Sequence, residues 1–182
     1  MAQLLDTWNR MAPMGLLGKD RIGRPVVYRK YAADFDSKKL EQQGFPRASI
    51  SYYNVWMIER LLQLAGDQGS FVNIVDLGST SWKQFTRSNL RMGQAISADM
   101  KDHYPERLAR VFIINAPRTF SAIWGLVNSW LDERIRGKLS IIHDQSMWRA
   151  VLQEQLFDLD LLPTHLGGKV ELSYLSGHTL DP

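Results

Sequence analysis

Glu106 and Lys138 are the charged side chains that the sequence sets apart, one after Pro105 at what reads as a helix start, the other ending a short basic turn before the apolar run Leu139-Ser140-Ile141-Ile142. The chemistry open to them is hydrogen bonding and charge pairing. Each also has a plain structural reading. A carboxylate near a helix N-terminus favours the helix dipole and can pair with Arg107 or Arg110, and a cation at a helix C-terminus faces free carbonyls. Gly78-Ser79-Thr80-Ser81-Trp82 follows a strand-like run and has the composition of a helix cap. It lacks the Gly-x-Ser-x-Gly spacing of a nucleophile elbow. Leu16-Leu17-Gly18-Lys19-Asp20 is not a phosphate-binding loop, and no Gly-x-Gly-x-x-Gly occurs. His103, His143, His165 and His178 show no ligand spacing. There is no cysteine, hence no thiolate site or disulfide. No catalytic residue, metal site or cofactor is predicted.

The elements that must position these residues follow from periodicity. A short helix is predicted around Leu4 to Met11, a turn at Asp20 to Pro25, and a strand over Val26 to Tyr31. Polar residues 38–47 read as helix then loop. Ile50, Tyr53, Met57, Leu61 and Leu64 recur at helical spacing until Gly66. Residues 70–77 read as a strand, 82–102 as helical, and Arg110 to Asn115 as a strand buried on both faces. Residues 132–137 form a short helical turn, 139–143 a strand, 146–155 a helix, and 169–172 an edge strand. Strands alternating with helices argue for α/β layers around a mostly parallel sheet of four or five strands.

The segment from Phe120 to Leu131 is unusually apolar. Turning about 100° per residue, Ala122, Leu126, Trp130, Ile123, Val127, Phe120, Leu131 and Trp124 cover an arc of roughly 200°, about twice the stripe of a surface helix. Such a helix has two apolar neighbours, or lies wholly inside the core. Pro117 ends the preceding strand and suits a helix start.

The 182 residues suit one domain, possibly with an appendage, and 45% hydrophobic with 23% charged residues is ordinary for a soluble chain. The net charge is +3, with basic residues scattered rather than clustered, so no nucleic acid partner is expected. No apolar run reaches the ~18 residues of a transmembrane helix, and the N-terminus lacks the pattern of a secretory signal.

Several motifs recur together: Asp20-x-x-Gly23-Arg24-Pro25-Val26, Ile74-Val75-Asp76-Leu77, Tyr104-Pro105-Glu106-Arg107-Leu108, Phe112-Ile113-Ile114-Asn115-Ala116-Pro117, Phe120-Ser121, Leu131-Asp132, Lys138, and Leu162-Pro163 with Gly167-Gly168. In order and spacing they resemble the CRAL-TRIO lipid-binding domain, especially its phosphatidylinositol/phosphatidylcholine transfer branch. The resemblance implies a single α/β domain over residues 20–175, after a lead-in over 1–19 and before a tail over 176–182. A mixed, mostly parallel sheet of about five strands would floor an apolar pocket closed by a mobile gate helix. Phe120, Ile123, Trp124, Val127, Trp130 and Leu131 would be the gate and pocket residues. Glu106 and Lys138 would hold an inositol phosphate headgroup, and Ser79 and Ser81 would reach a choline headgroup. Ile135 and Ile58 replace a threonine and a tyrosine of the family's headgroup shell, and residues 1–19 are too short for its N-terminal three-helix bundle. The implied function is non-enzymatic binding of a glycerophospholipid and its exchange at membranes, by a cytoplasmic protein with peripheral membrane contact. Two alternatives stand beside it: a protein-interaction module, possibly part of a longer protein, and a carrier of a sterol, tocopherol or retinoid.

Overall fold

The computed structural model describes residues 2–172, and the tail at 176–182 lies outside them. Strands β1 (Met14–Lys19), β2 (Pro25–Lys30), β3 (Phe71–Asp76), β4 (Leu108–Ile114) and β5 (Leu139–Ile142) form one sheet in that spatial order. β2 to β5 run parallel, and β1 lies antiparallel beside β2. The expected mixed, mostly parallel α/β sheet is therefore what the chain forms.

β1 is a correction to the reading of residues 1–19 as a lead-in. This segment supplies an edge strand, and helix α1 (Ala2–Met11) seats Trp8 against Tyr53, with ring centroids 5.2 Å apart. The turn from β1 to β2 is built by Asp20, which is buried and whose carboxylate accepts from the amides of Ile22 and Arg24 and from the Arg24 guanidinium at 2.7–3.1 Å. Gly23 supplies the positive φ of 90° inside that turn. The Asp-x-x-Gly-Arg-Pro motif is thus a folding device.

Successive strand residues point to opposite faces. Val26, Tyr28, Val72, Ile74, Phe112 and Ile114 pack against Trp148 and Leu152 of α7 (Gln145–Gln155). Trp148 and Leu152 have no exposed surface. The other face carries Val27, Arg29, Asn73, Val111 and Ile113 towards helices α3 (Arg47–Ala65) and α4 (Arg87–His103). α3 buries Ile50, Tyr53, Asn54, Met57, Ile58 and Leu61, one continuous helical stripe. Leu64, assigned to that stripe from the sequence, is instead exposed. The short α2 (Ser37–Gln42) is capped by Asp36, which accepts from Lys38 N. After β4 come α5 (Phe120–Trp130) and α6 (Glu133–Arg136).

Two local expectations are overturned. α4 ends at His103, so Glu106 sits in the turn before β4, not at a helix start, and its φ is +63°. Residues 169–172 form no strand; Val170 makes a single bridge to Pro163.

Candidate functional site

Between the sheet and α5 lies an apolar cavity of about 220 Å³. The sheet gives it a floor that includes Val27, Phe71, Ile113 and Leu139. Met57, Ile58 and Leu61 from α3 and Ile96 and Met100 from α4 form its walls. Trp124, Val127 and Trp130 of α5, with Leu131 after it, cover it. Two further cavities of about 230 Å³ adjoin it. One shares Met100, Leu108 and Ile135 with it, and the other shares Gly93, Ile113, Val127 and Trp130.

α5 is held loosely for so apolar a helix. Phe120 is its one buried residue, stacked near Phe85 and Trp124 at 5.6 and 6.0 Å between centroids. Leu126 is 55% exposed. Ile123 is half-buried and does not line the three cavities, while Phe120, Trp124, Val127, Trp130 and Leu131 do. The broad apolar arc thus has an inner side on the cavity and an outer side in water. Extended backbone at Leu131 and an Asp132 cap, accepting from Arg134 N at 2.9 Å, end the helix sharply.

The second cavity is polar. Lys138 Nζ donates to Glu106 Oε2 at 2.8 Å, joining residues 32 positions apart. The hydrogen bond from Lys138, then its charge, holds the Glu106 carboxyl below the usual glutamate range. The pair therefore survives mild acidification and is lost only as pH falls through that lowered value. Lys101, Arg134 and Asp132 share the cavity wall. Tyr104 also lines it and donates to Glu59 Oε1 at 2.6 Å. Burial, then that bond, pushes its phenol up to about 12, so it stays a donor.

Ser79 and Ser81 are not brought to these cavities. Ser81 caps the turn Trp82–Gln84, and the hydroxyl that does reach a cavity is Thr80, which donates to Leu77 O at 2.7 Å.

A second network lies at the C-terminal strand ends. Buried Asp76 accepts from Tyr28 OH at 2.6 Å, Gly78 N at 2.8 Å and Asn115 Nδ2 at 2.9 Å. Trp148 Nε1 donates to Asn115 Oδ1 at 2.9 Å, and His165 Nε2 lies 2.8 Å from Tyr28 OH. This explains both Asp76-Leu77 and Asn115-Ala116-Pro117: they tie β3 and β4 to the turn that launches α5. The sequence signal was present in the two motifs, but the partners Tyr28 and Trp148 come from distant segments. Asp76→Asn should lower stability by about 1 kcal/mol, because one acceptor becomes a donor while the amide still fits. Urea unfolding would read this directly, and an unchanged midpoint would show that the network is slack.

Comparisons with known proteins agree with this geometry. The family model described as CRAL/TRIO domain matches residues 9–168. The chain is 29% identical over 173 residues to phosphatidylinositol/phosphatidylcholine transfer protein SFH4 of Arabidopsis thaliana, covering 90% of this chain and 28% of that protein. It is 32% identical over 160 residues to Sec14 cytosolic factor of Schizosaccharomyces pombe, covering 82% and 53%. The chain thus spans about a quarter to a half of the length of these relatives. Its fold is similar to the crystal structure of Sfh5, with a TM-score of 0.70 at 19% identity, covering 90% of this chain and 58% of that one. With motifs, sheet order and family match coinciding over the same residues, the chain belongs to the CRAL/TRIO domain family.

Proposed function

We propose that this chain binds a glycerophospholipid, phosphatidylinositol or phosphatidylcholine, beneath α5 and exchanges it at membrane surfaces without catalysing a reaction. The observation that carries this reading is the apolar cavity between the sheet and a helix held by one buried residue. Each exposed methylene costs about 0.8 kcal/mol, so two acyl chains in water cost on the order of 20 kcal/mol. An enclosed pocket removes most of that cost. At about 220 Å³ the cavity alone is smaller than the roughly 300 Å³ at which ligand pockets begin, so two chains require the adjoining cavities or an outward swing of α5. The name of the Arabidopsis thaliana relative, a phosphatidylinositol/phosphatidylcholine transfer protein, supports the lipid class. The test is transfer of labelled phosphatidylinositol and phosphatidylcholine between donor and acceptor vesicles, with native mass spectrometry of the purified chain. Transfer with a stoichiometric bound phospholipid is expected; neither being seen would reject the reading.

Glu106 and Lys138 are the headgroup residues in this proposal. Lys138 offsets phosphate charge while Glu106 accepts from ring hydroxyls. Charge-assisted hydrogen bonds contribute about 1.5–3 kcal/mol, so Glu106→Ala with Lys138→Ala should weaken phosphatidylinositol binding roughly 10- to 100-fold. Phosphatidylcholine binding should change much less, and equal losses for the two lipids would reject these roles.

The small volume of this cavity also favours a second reading, a carrier of a smaller hydrophobic molecule such as a sterol, tocopherol or retinoid. Identifying the extracted ligand decides between them.

A further inference from the structure

The apolar cavity has a charged floor. Arg29 is 7% exposed, lines the cavity, and donates from Nη2 to Met14 Sδ at 3.3 Å and Asn54 Oδ1 at 3.2 Å. Its Nε is buried without a hydrogen-bond partner. Among the described residues, none of the ion pairs includes Arg29. Asn54 is 3% exposed and its Nδ2 is already committed to Ile50 O at 2.8 Å. Asn73, on the neighbouring strand, lines the same cavity and its Oδ1 is also buried without a partner. A guanidinium keeps its proton in proteins, so its burial is not relieved by neutralisation. An uncompensated buried cation is destabilising by several kcal/mol, and one neutral amide oxygen and one thioether are poor compensation. Retaining it in an apolar cavity makes sense if the ligand supplies the counter-charge.

This subsite is distinct from the Glu106–Lys138 pair. Arg29 is level with Val75, Ile113 and Ile141 across the sheet, whereas Lys138 precedes Leu139 at the start of β5. That places Arg29 about 10 Å further along the strands and three strand spacings, about 14 Å, across. We infer that Arg29, its guanidinium oriented by Asn54 Oδ1, forms an interior anion subsite that takes the carboxylate or phosphate of an anionic amphiphile bound head-inwards. The inference rests on the lipid-pocket reading above and names a ligand class for it. A planar guanidinium suits either group, because both offer paired oxygens to its N–H fork.

Two matched pairs test this on the full delipidated chain, read by intrinsic fluorescence because Trp124 and Trp130 line the cavity. Oleate against oleyl alcohol tests a carboxylate, and 1-oleoyl-lysophosphatidate against 1-oleoylglycerol tests a phosphate. The wild type should bind the anion about 10- to 100-fold tighter than its neutral partner in at least one pair. The pair that discriminates identifies the source of the anion. Arg29→Met should erase that preference while still binding the neutral member. If the Met variant does not fold, Arg29→Gln serves the same purpose, and the wild-type comparison needs no variant. Equal affinities within both pairs, or a preference kept by Arg29→Met, would overturn this inference alone. Failure of all four probes to bind would overturn the lipid-pocket reading and this inference together.

Discussion

Trp124→Asp is expected to abolish lipid retention while leaving the fold in place. Trp124 lies half-buried on the inner side of α5, lines the apolar cavity, and stacks near Phe120. An aspartate there faces an apolar cavity whose one charged lining residue, Arg29, is held on the sheet floor by Asn54 Oδ1 and Met14 Sδ. Burying an unpaired carboxylate costs several kcal/mol, more than a helix anchored by one buried phenylalanine can hold closed. The helix then rests open and the acyl chains lose their cover. The fold survives because a separate core lies on the far side of the sheet, around Trp148, Leu152 and Phe112, all with no exposed surface. Native mass spectrometry should show the variant empty, with far-UV circular dichroism unchanged. Leu126→Asp is the matched control: Leu126 is on the outer side and exposed, so lipid should be retained. A folded Trp124→Asp protein that keeps its lipid would reject the assignment of α5 as the gate.

The parts of this site that could be read in the sequence are those written in local pattern. The wide apolar arc of residues 120–131 states that the helix has two apolar neighbours, and the structure gives it a cavity on one side and water on the other. The alternation of strands and helices states the sheet. What escaped was written in tertiary placement. β1 was hidden because Gly15 and Gly18 interrupt its β-pattern; the register shift between Leu16 and Gly18 is the bulge they allow. Pro105-Glu106 carries the same cues at a helix start as in a turn, and the packing of Tyr104 on Glu59 decides for the turn. Ser79-Thr80-Ser81 offers three hydroxyls, and only the backbone path shows that Thr80 reaches a cavity while Ser81 caps a turn. Arg29 looks like an ordinary outward residue near a strand end. Period-two alternation places it on one face but does not tell which face borders a cavity.

Gly168→Ala should be among the most damaging single-methyl additions in the chain. A Cβ at Gly168 would lie 1.9 Å from the carbonyl oxygen of Leu162 and 2.5 Å from its carbonyl carbon, both backbone atoms that have no rotamer to escape into. Leu162 itself is fully buried, and the loop closes on it through Gly168 N to Pro163 O at 3.2 Å and Val170 N to Leu162 O at 3.1 Å. Relief requires the loop to lift. That lift would detach His165 from Tyr28 and Leu166 from the core, with a loss of about 3 kcal/mol. For a domain of this size that lowers Tm by roughly 6–12 °C. Gly167 makes the internal comparison. Its φ is +80°, so alanine there is strained, but its nearest neighbour is a side-chain end, Arg149 Nη1 at 3.2 Å, rather than backbone, and the cost should be only about 1 kcal/mol. The two glycines of the motif therefore act through different physics, one by close backbone approach and one by conformation. Thermal unfolding of both variants separates them: equal shifts would mean that the loop yields to a side chain at Gly168. Hydrogen exchange confined to residues 159–170 would then show that the loop opens locally without drawing on the stability of the sheet.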